Sequence, residues 1–178
     1  VDIVVTQPKV SALAVSGSMN VSLSRDWLTA DGQSRSRITA VVKDSSGEAV
    51  SGHTVRFTLL GSNGEIRGVQ GKTDSAGRAF ADYIAGTLMG QVQVEVRDMT
   101  SGLVTIVPIE LRPDAPAEIV LTADPGEIAT GGQSTVAAKV TDANGNPNSN
   151  VDVLYSIAAG SGSVDSPSAA TDANGVAS

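Results

Sequence analysis

Cysteine is absent, histidine occurs once, and Phe, Trp and Tyr together make up 3% of the 178 residues. Without Cys there is no disulfide framework, no thiolate zinc site and no thiol nucleophile. A single His excludes a multi-histidine metal centre. So few rings leave no stacking platform for bases or sugars, and a packed core has to be built from Val, Ile, Leu and Ala. Cations are also scarce: 12 Lys and Arg face 19 Asp and Glu, a formal net charge of −7. Binding to nucleic acid or to an anionic membrane surface needs clustered Lys and Arg and is therefore not expected. No run approaches the roughly 18 apolar residues of a membrane span, so no direct membrane insertion is expected. Val1 is followed by no basic-then-apolar leader, and no signal peptide is expected within this stretch.

What is present is a repeat. Val42-Lys-Asp-Ser-Ser-Gly47 recurs as Val140-Thr-Asp-Ala-Asn-Gly145, and Thr73-Asp-Ser-Ala-Gly-Arg-Ala79 recurs as Thr171-Asp-Ala-Asn-Gly-Val-Ala177. Both motifs return after 98 positions. Val55 then matches Val153, Phe57 matches Tyr155, and Gly64 matches Gly162. A self-similar period of this length is the size of one immunoglobulin-like sandwich.

Within each copy, apolar residues alternate with period two. Ile38, Ala40 and Val42 do so, as do Val55, Phe57 and Leu59, Val92, Val94 and Val96, Ile119, Leu121 and Ala123, Val136, Ala138 and Val140, and Val151, Val153, Tyr155 and Ile157. This pattern predicts strands with one buried and one wet face. The breaks between them are rich in Gly, Asn, Asp, Ser and Pro. The expected fold is all-β: tandem immunoglobulin-like antiparallel β-sandwiches. Four Asp-x-x-Gly turns punctuate it, at Asp44–Gly47, Asp74–Gly77, Asp142–Gly145 and Asp172–Gly175. In each, the carboxylate is expected to accept backbone N–H groups two or three residues on, while the Gly takes a positive φ.

Two prolines in Arg112-Pro-Asp-Ala-Pro-Ala117 mark a restrained linker. The expected divisions are 1–18, an N-terminal extension or the tail of a preceding repeat; 19–111, the first sandwich; 112–116, the linker; and 117–178, a second sandwich that is incomplete because counterparts of Ala81–Leu111 are lacking. Asp2-Ile-Val-Val-Thr6 loosely matches Leu103-Val-Thr-Ile-Val107. It therefore offers itself either as the end of a preceding repeat or as a strand donated to the open edge of another chain.

The valine strands, the Asp-x-x-Gly turn and the Thr-Asp-x-x-Gly-x-Ala element, in that order, resemble the bacterial immunoglobulin-like domain of the invasin and intimin type. The resemblance covers most of the chain from about Val21 onward. It implies sandwiches stacked in tandem on a bacterial surface, holding an adhesive tip away from the membrane, and it implies no catalysis. The transthyretin-like surface repeats use similar turns.

Several residues stand out as candidates for chemistry. His53 would need a Ser and an Asp beside it to form a hydrolase triad; its place after a turn reads instead as a strand edge without chemistry. Asp142, Asn144, Asn146, Asn148 and Asn150 alternate oxygen-bearing side chains, as a calcium loop does, but no distal bidentate Glu follows and Pro147 interrupts the run. Asp114, Glu118 and Asp124 flank the linker, where a calcium ion would stiffen the joint. The low-ranked calcium candidates are thus Asp114, Glu118, Asp124, Asp142 and Asn144; no other cofactor is expected. Lys43 and Lys139 raise an isopeptide cross-link, which the repeat does not preserve. Trp27 reads as a partly buried core or domain-junction residue rather than a surface anchor.

The expected role is a non-enzymatic spacer or adhesion module. Its partners would be a protein or cell-surface receptor, or neighbouring copies of itself. Its place would be the bacterial surface or the secreted fraction, with outer-membrane association through other parts. Two alternatives stand beside this: a structural subunit of a surface filament or virion completed by a neighbour's strand, and an accessory module of a secreted carbohydrate-active enzyme. Exposed aromatic pairs, which would favour the last, are missing.

Overall fold

The computed structural model describes residues 16–178; the Asp2–Thr6 segment lies outside them. Among these residues there are thirteen strands and no helix. The first unit holds β1 (Ser16–Leu23), β2 (Trp27–Thr29), β3 (Arg35–Asp44), β4 (Val55–Leu60), β5 (Gly64–Gln70), β6 (Arg78–Ala85), β7 (Gly90–Asp98) and β8 (Val104–Arg112). One sheet has the order β1-β3-β6-β5 and the facing sheet the order β2-β8-β7-β4.

The period-two alternation of the sequence becomes alternating burial. Ile38, Ala40 and Val42 on β3, Ala79, Ala81, Tyr83 and Ala85 on β6, Val92, Val94 and Val96 on β7, and Val107, Ile109 and Leu111 on β8 are all buried in one cluster between the sheets. Small Ala side chains on β3 and β6 let the sheets approach, and Tyr83 fills the gap they leave. Its hydroxyl donates to the Asn63 carbonyl at 2.6 Å, which satisfies the one polar atom this ring brings into the core.

The pairing is antiparallel with one exception. β2 runs parallel to β8, with Trp27, Leu28 and Thr29 opposite Glu110, Leu111 and Arg112. Above that short patch no described strand pairs with the outer edge of β8. Glu110 N–H points to β2, donating to the Asp26 carbonyl at 2.9 Å, so the same side two residues earlier is occupied by Pro108, which has no donor. A proline there protects the edge against pairing with another strand.

The second unit holds β9 (Glu118–Asp124), β10 (Thr135–Thr141), β11 (Asp152–Leu154), β12 (Ser168–Ala170) and β13 (Val176–Ala177). They form a sheet in the order β13-β10-β9 and a separate β11–β12 pair. The duplication extends to individual bonds. Ala138 lies opposite Ala177 as Ala40 lies opposite Ala79. Val140 N–H donates to the Gly175 carbonyl as Val42 N–H donates to that of Gly77, each at 2.8 Å. Asn150, the counterpart of left-handed Gly52, is itself left-handed at φ 57°, a conformation Asn tolerates better than most residues.

The second core is small: Ala138, Val140, Val153 and Ala177 are buried, with Val151, Tyr155 and Ala169 packed against them. Among the described residues no strands corresponding to β7 and β8 cover β9, so the alternation of Ile119, Leu121 and Ala123 does not become alternating burial: Ile119 is 55% and Leu121 61% exposed. In the first unit the residues at the same register of β1, Met19 and Val21, pack against the core.

Candidate functional site: the joint between the units

All four Asp-x-x-Gly turns close in the same way. One carboxylate oxygen of Asp44 accepts the N–H groups of Ser46 at 2.8 Å and Glu48 at 3.0 Å. Asp74 accepts those of Ala76 and Arg78, both at 2.9 Å. Asp142 accepts Asn144 at 2.8 Å and Asn146 at 2.9 Å, and Asp172 accepts Asn174 at 2.8 Å and Val176 at 2.9 Å. The donors lie two and four residues on, rather than two or three. Each closing Gly has a positive φ, from 71° at Gly77 to 86° at Gly47. All four carboxyls titrate below the ordinary Asp value. The backbone donors of Glu48, Arg78 and Val176 are the main cause for Asp44, Asp74 and Asp172 respectively. At Asp142, burial pushes upward, but the Asn146 amide and the N–H groups of Asp114, Asn146 and Asn144 outweigh it, and the net direction is down.

What separates the Asp142 turn from the other three is its second carboxylate oxygen and the asparagines that follow. Asp142 is 1% exposed, and its Oδ2 accepts the Asp114 N–H of the linker at 3.0 Å and the Asn146 side-chain amide at 2.8 Å. Asn146 then reaches into the first unit. Its Nδ2 donates to the Thr87 carbonyl at 2.9 Å, and its Oδ1 accepts the Met89 N–H at 2.8 Å. Asn144 Nδ2 donates to the Ala30 carbonyl at 3.1 Å, and Asn148 Nδ2 to the Asp114 carbonyl at 2.6 Å. On the receiving side, Asn63 holds the β6–β7 turn from within, its amide donating to the Leu88 carbonyl at 2.7 Å. The asparagine run is thus a hydrogen-bonded splice between the two units. Asn has both a donor and an acceptor on one short, rigid side chain, which lets Asn146 satisfy a carbonyl and an N–H of the same turn. The counterpart of Asn146 in the first unit is Glu48, which is exposed.

Of the five calcium candidates, Asp114, Asp142 and Asn144 meet, but through backbone N–H groups rather than converging oxygens. Asp142 spends its oxygens on N–H donors, and Asp114 Oδ1 accepts the N–H of Ala115 at 2.8 Å. Glu118 and Asp124 sit at opposite ends of β9, opposite Thr141 and Thr135. Among the described residues no three His, Cys, Asp or Glu gather in a group that could hold a metal ion. Lys43 and Lys139 are both exposed.

His53 departs from the strand-edge expectation. It is fully buried, and its Nδ1 lies 2.7 Å from Asp98 Oδ2. The same oxygen accepts the Ser101 hydroxyl at 2.6 Å, and Thr100 N–H donates to the other at 2.9 Å. A hydrolase needs the imidazole between the hydroxyl and the carboxylate. Here, among the described residues, Asp98 lies between the other two, and the arrangement ties the β7–β8 loop to the segment before β4. Asp98 follows the β7 alternation as an inward residue; that period was the available signal, and only the assumption that an Asp faces water hid it. Trp27 is 46% exposed and lies outside the core, with the guanidinium of Arg112, the first linker residue, 4.7 Å from its ring centroid, so of the two expected places it takes the one beside the linker.

The family model of the bacterial Ig-like domain (group 1) matches residues 18–107. Among solved structures, the chain is similar to invasin, a bacterial integrin-binding protein, with 22% identity and a TM-score of 0.62 over 74% of this chain and 28% of that one. It is similar to Yersinia pseudotuberculosis InvD, with 23% identity and a TM-score of 0.59 over 76% of this chain and 42% of that one. It is also similar to the Escherichia coli adhesin FdeC, with 21% identity and a TM-score of 0.55 over 89% of this chain and 53% of that one. The chain therefore spans between 28% and 53% of the length of these proteins, and the likeness is one of fold.

Proposed function

The chain belongs to the group 1 bacterial Ig-like family, and from that premise we propose that it is a non-enzymatic spacer segment of a bacterial surface adhesin. In this reading it sets the reach and direction of an adhesive part elsewhere in the protein, at the cell surface and outer-membrane associated through other regions. Its eventual partner is a protein or cell-surface receptor. The observation that carries the reading is the joint: Asn146 spans Thr87, Met89 and Asp142. A hinge meant to swing freely would not commit a nearly buried side chain to three partners. The structurally similar FdeC, an adhesin, and invasin, an integrin-binding protein, support the setting.

Small-angle scattering of the purified chain tests this. An elongated monomer whose scattering curve does not change with concentration is expected. A second reading draws on the open face of the second unit, where a hollow of about 360 Å³ is lined by Pro116, Ile119, Val140, Val151, Val153 and Leu154. Under it, the chain is an assembly subunit whose sandwich a neighbour's strand completes. Oligomers that grow with concentration would replace the spacer reading with this one.

A further inference from the structure

We infer that the joint is also a mechanical brace: the asparagine turn of the second unit grips the end of β2, and so resists extraction of β8 from the first unit when the chain is pulled. The inference takes its purpose from the spacer reading, but its physics stands on topology alone.

Ser16, the first described residue, lies opposite Asp44, and β8 ends at Arg112, whose carbonyl accepts the Ala30 N–H at 2.8 Å. These points lie at opposite ends of the sandwich, because β3 runs from Arg35, opposite Ile84, to Asp44. A pull separating them acts along the strand axes. It loads the β1–β3 ladder, from Ser16 opposite Asp44 to Leu23 opposite Ile38, in shear. It loads β8 in shear against β7 on one side and β2 on the other. In shear the bonds of a ladder stretch together. A pull on Gln91 and Arg112 instead enters the antiparallel β7–β8 pair at one end and opens its rows in succession, beginning near Gln91 and Glu110.

For β8 to slip, its last turn of contacts has to break. Ala30 N–H must leave the Arg112 carbonyl and Glu110 N–H the Asp26 carbonyl, and the Arg112–Trp27 stack must part. The second unit hangs from the end of β8 and moves with it. Slip therefore also draws Asn144 off the Ala30 carbonyl and Asn146 off Thr87 and Met89. Ala30 is the pivot: its N–H holds the end of β8, and its carbonyl holds the unit that β8 carries. The equivalent turn of the first unit has Ser46 and Glu48 in place of Asn144 and Asn146, and a Glu carboxylate cannot donate to a carbonyl. The brace is therefore a property of this joint and not of the repeat.

The chain has no native cysteine, so engineered pairs place handles cleanly for single-molecule force spectroscopy of the full chain. With Ser16→Cys and Ala115→Cys, the first unit should rupture at a force about twofold or more above that with Gln91→Cys and Ala115→Cys, where the antiparallel ladder opens row by row. Adding Asn144→Ala or Asn146→Ala should lower the rupture force of the first pair by roughly a fifth or more, whereas Asn174→Ala, at an exposed side chain that donates to Asp172 of its own turn, should leave it unchanged. Should Asn146→Ala disturb the second unit, the exposed Asn144→Ala decides alone. Equal forces in the two pulling directions, or forces indifferent to both joint asparagines, overturn the brace. A chain that scatters as an extended monomer while showing that indifference keeps the spacer and loses the brace; an oligomer loses the spacer, whatever the forces.

Discussion

Replacing Asn146 by Ala tests the joint most directly. The substitution removes three bonds: 2.9 Å to the Thr87 carbonyl, 2.8 Å from the Met89 N–H and 2.8 Å to Asp142 Oδ2. Asn146 is 4% exposed, so water does not simply take its place while the units stay docked. Each neutral bond contributes about 1 kcal/mol net and the one to a carboxylate about 1.5–3 kcal/mol. The part that links the units, through Thr87 and Met89, is then about 2 kcal/mol. The bond to Asp142 belongs to the turn itself. The substitution removes all three, about 3.5–5 kcal/mol together, which for a cooperative chain of this size corresponds to a melting-temperature drop of about 7–20 °C, of which the two bonds between the units account for about 4–8 °C. The joint should loosen as well, so small-angle scattering should report a wider range of inter-unit angles. Asn146→Asp should be at least as damaging, because it trades a donor for a charge facing the Thr87 carbonyl and Asp142. Asn144→Ala removes a single 3.1 Å bond at an exposed position and should cost less than about 1 kcal/mol. If Asn146→Ala left both the melting curve and the scattering profile unaltered, the asparagine run would be decoration and the joint would be held by the linker alone.

Two further outcomes follow from the turns. Gly47 and Gly77 are both left-handed, but a Cβ at Gly47 meets nothing within 4 Å, whereas at Gly77 it runs into the Val42 carbonyl oxygen. Gly47→Ala should therefore cost about 1–2 kcal/mol, the backbone term alone, and Gly77→Ala about 1–3 kcal/mol more, measured as urea midpoints; equal losses would mean that the close approach is relaxed at no cost. The four turn carboxyls have folded values below the ordinary one. Their contribution is therefore fully present above the unfolded value of about 3.9 and is lost as pH falls below it through the lowered folded values. Urea midpoints should be flat from about pH 7 to pH 5 and decline below about pH 4; a decline already complete at pH 5 would contradict the assignment.

The sandwich was legible because its signals are local. Alternation on β3, β7 and β10 depends only on the pleat, and the Asp-x-x-Gly turns form their bonds within five residues. The 98-residue offset carries directly into the hydrogen bonds, where Gly175 accepts from Val140 as Gly77 accepts from Val42. The joint was not legible because its partners are backbone groups more than fifty residues away. Nothing in the composition says that the Thr87 carbonyl and Met89 N–H lack partners within their own unit. The same oxygen-bearing side chains that suggest a cation loop instead supply amide donors, and spacing alone does not separate an Asn used for its oxygen from one used for its nitrogen. His53 and Asp98 lie 45 residues apart in sequence and were hidden for a similar reason. Each on its own reads as a surface residue, and only the topology that places the segment before β4 next to the end of β7 makes them a buried pair. The parallel β2–β8 patch escaped notice because three residues are too few to show a period.

The two counterpart turns share their Asp and Gly and differ in what lies between and after. Asp44, Ser46, Gly47 and Glu48 in one become Asp142, Asn144, Gly145 and Asn146 in the other. The shared letters shape the loop, while the divergent ones decide what lies across from it: Asn144 and Asn146 reach Ala30, Thr87 and Met89. A filament composed of such blocks would thus have its pliancy edited knuckle by knuckle, stiff where an amide reaches across and slack where an acid takes its place, leaving the two-sheet core of each block untouched.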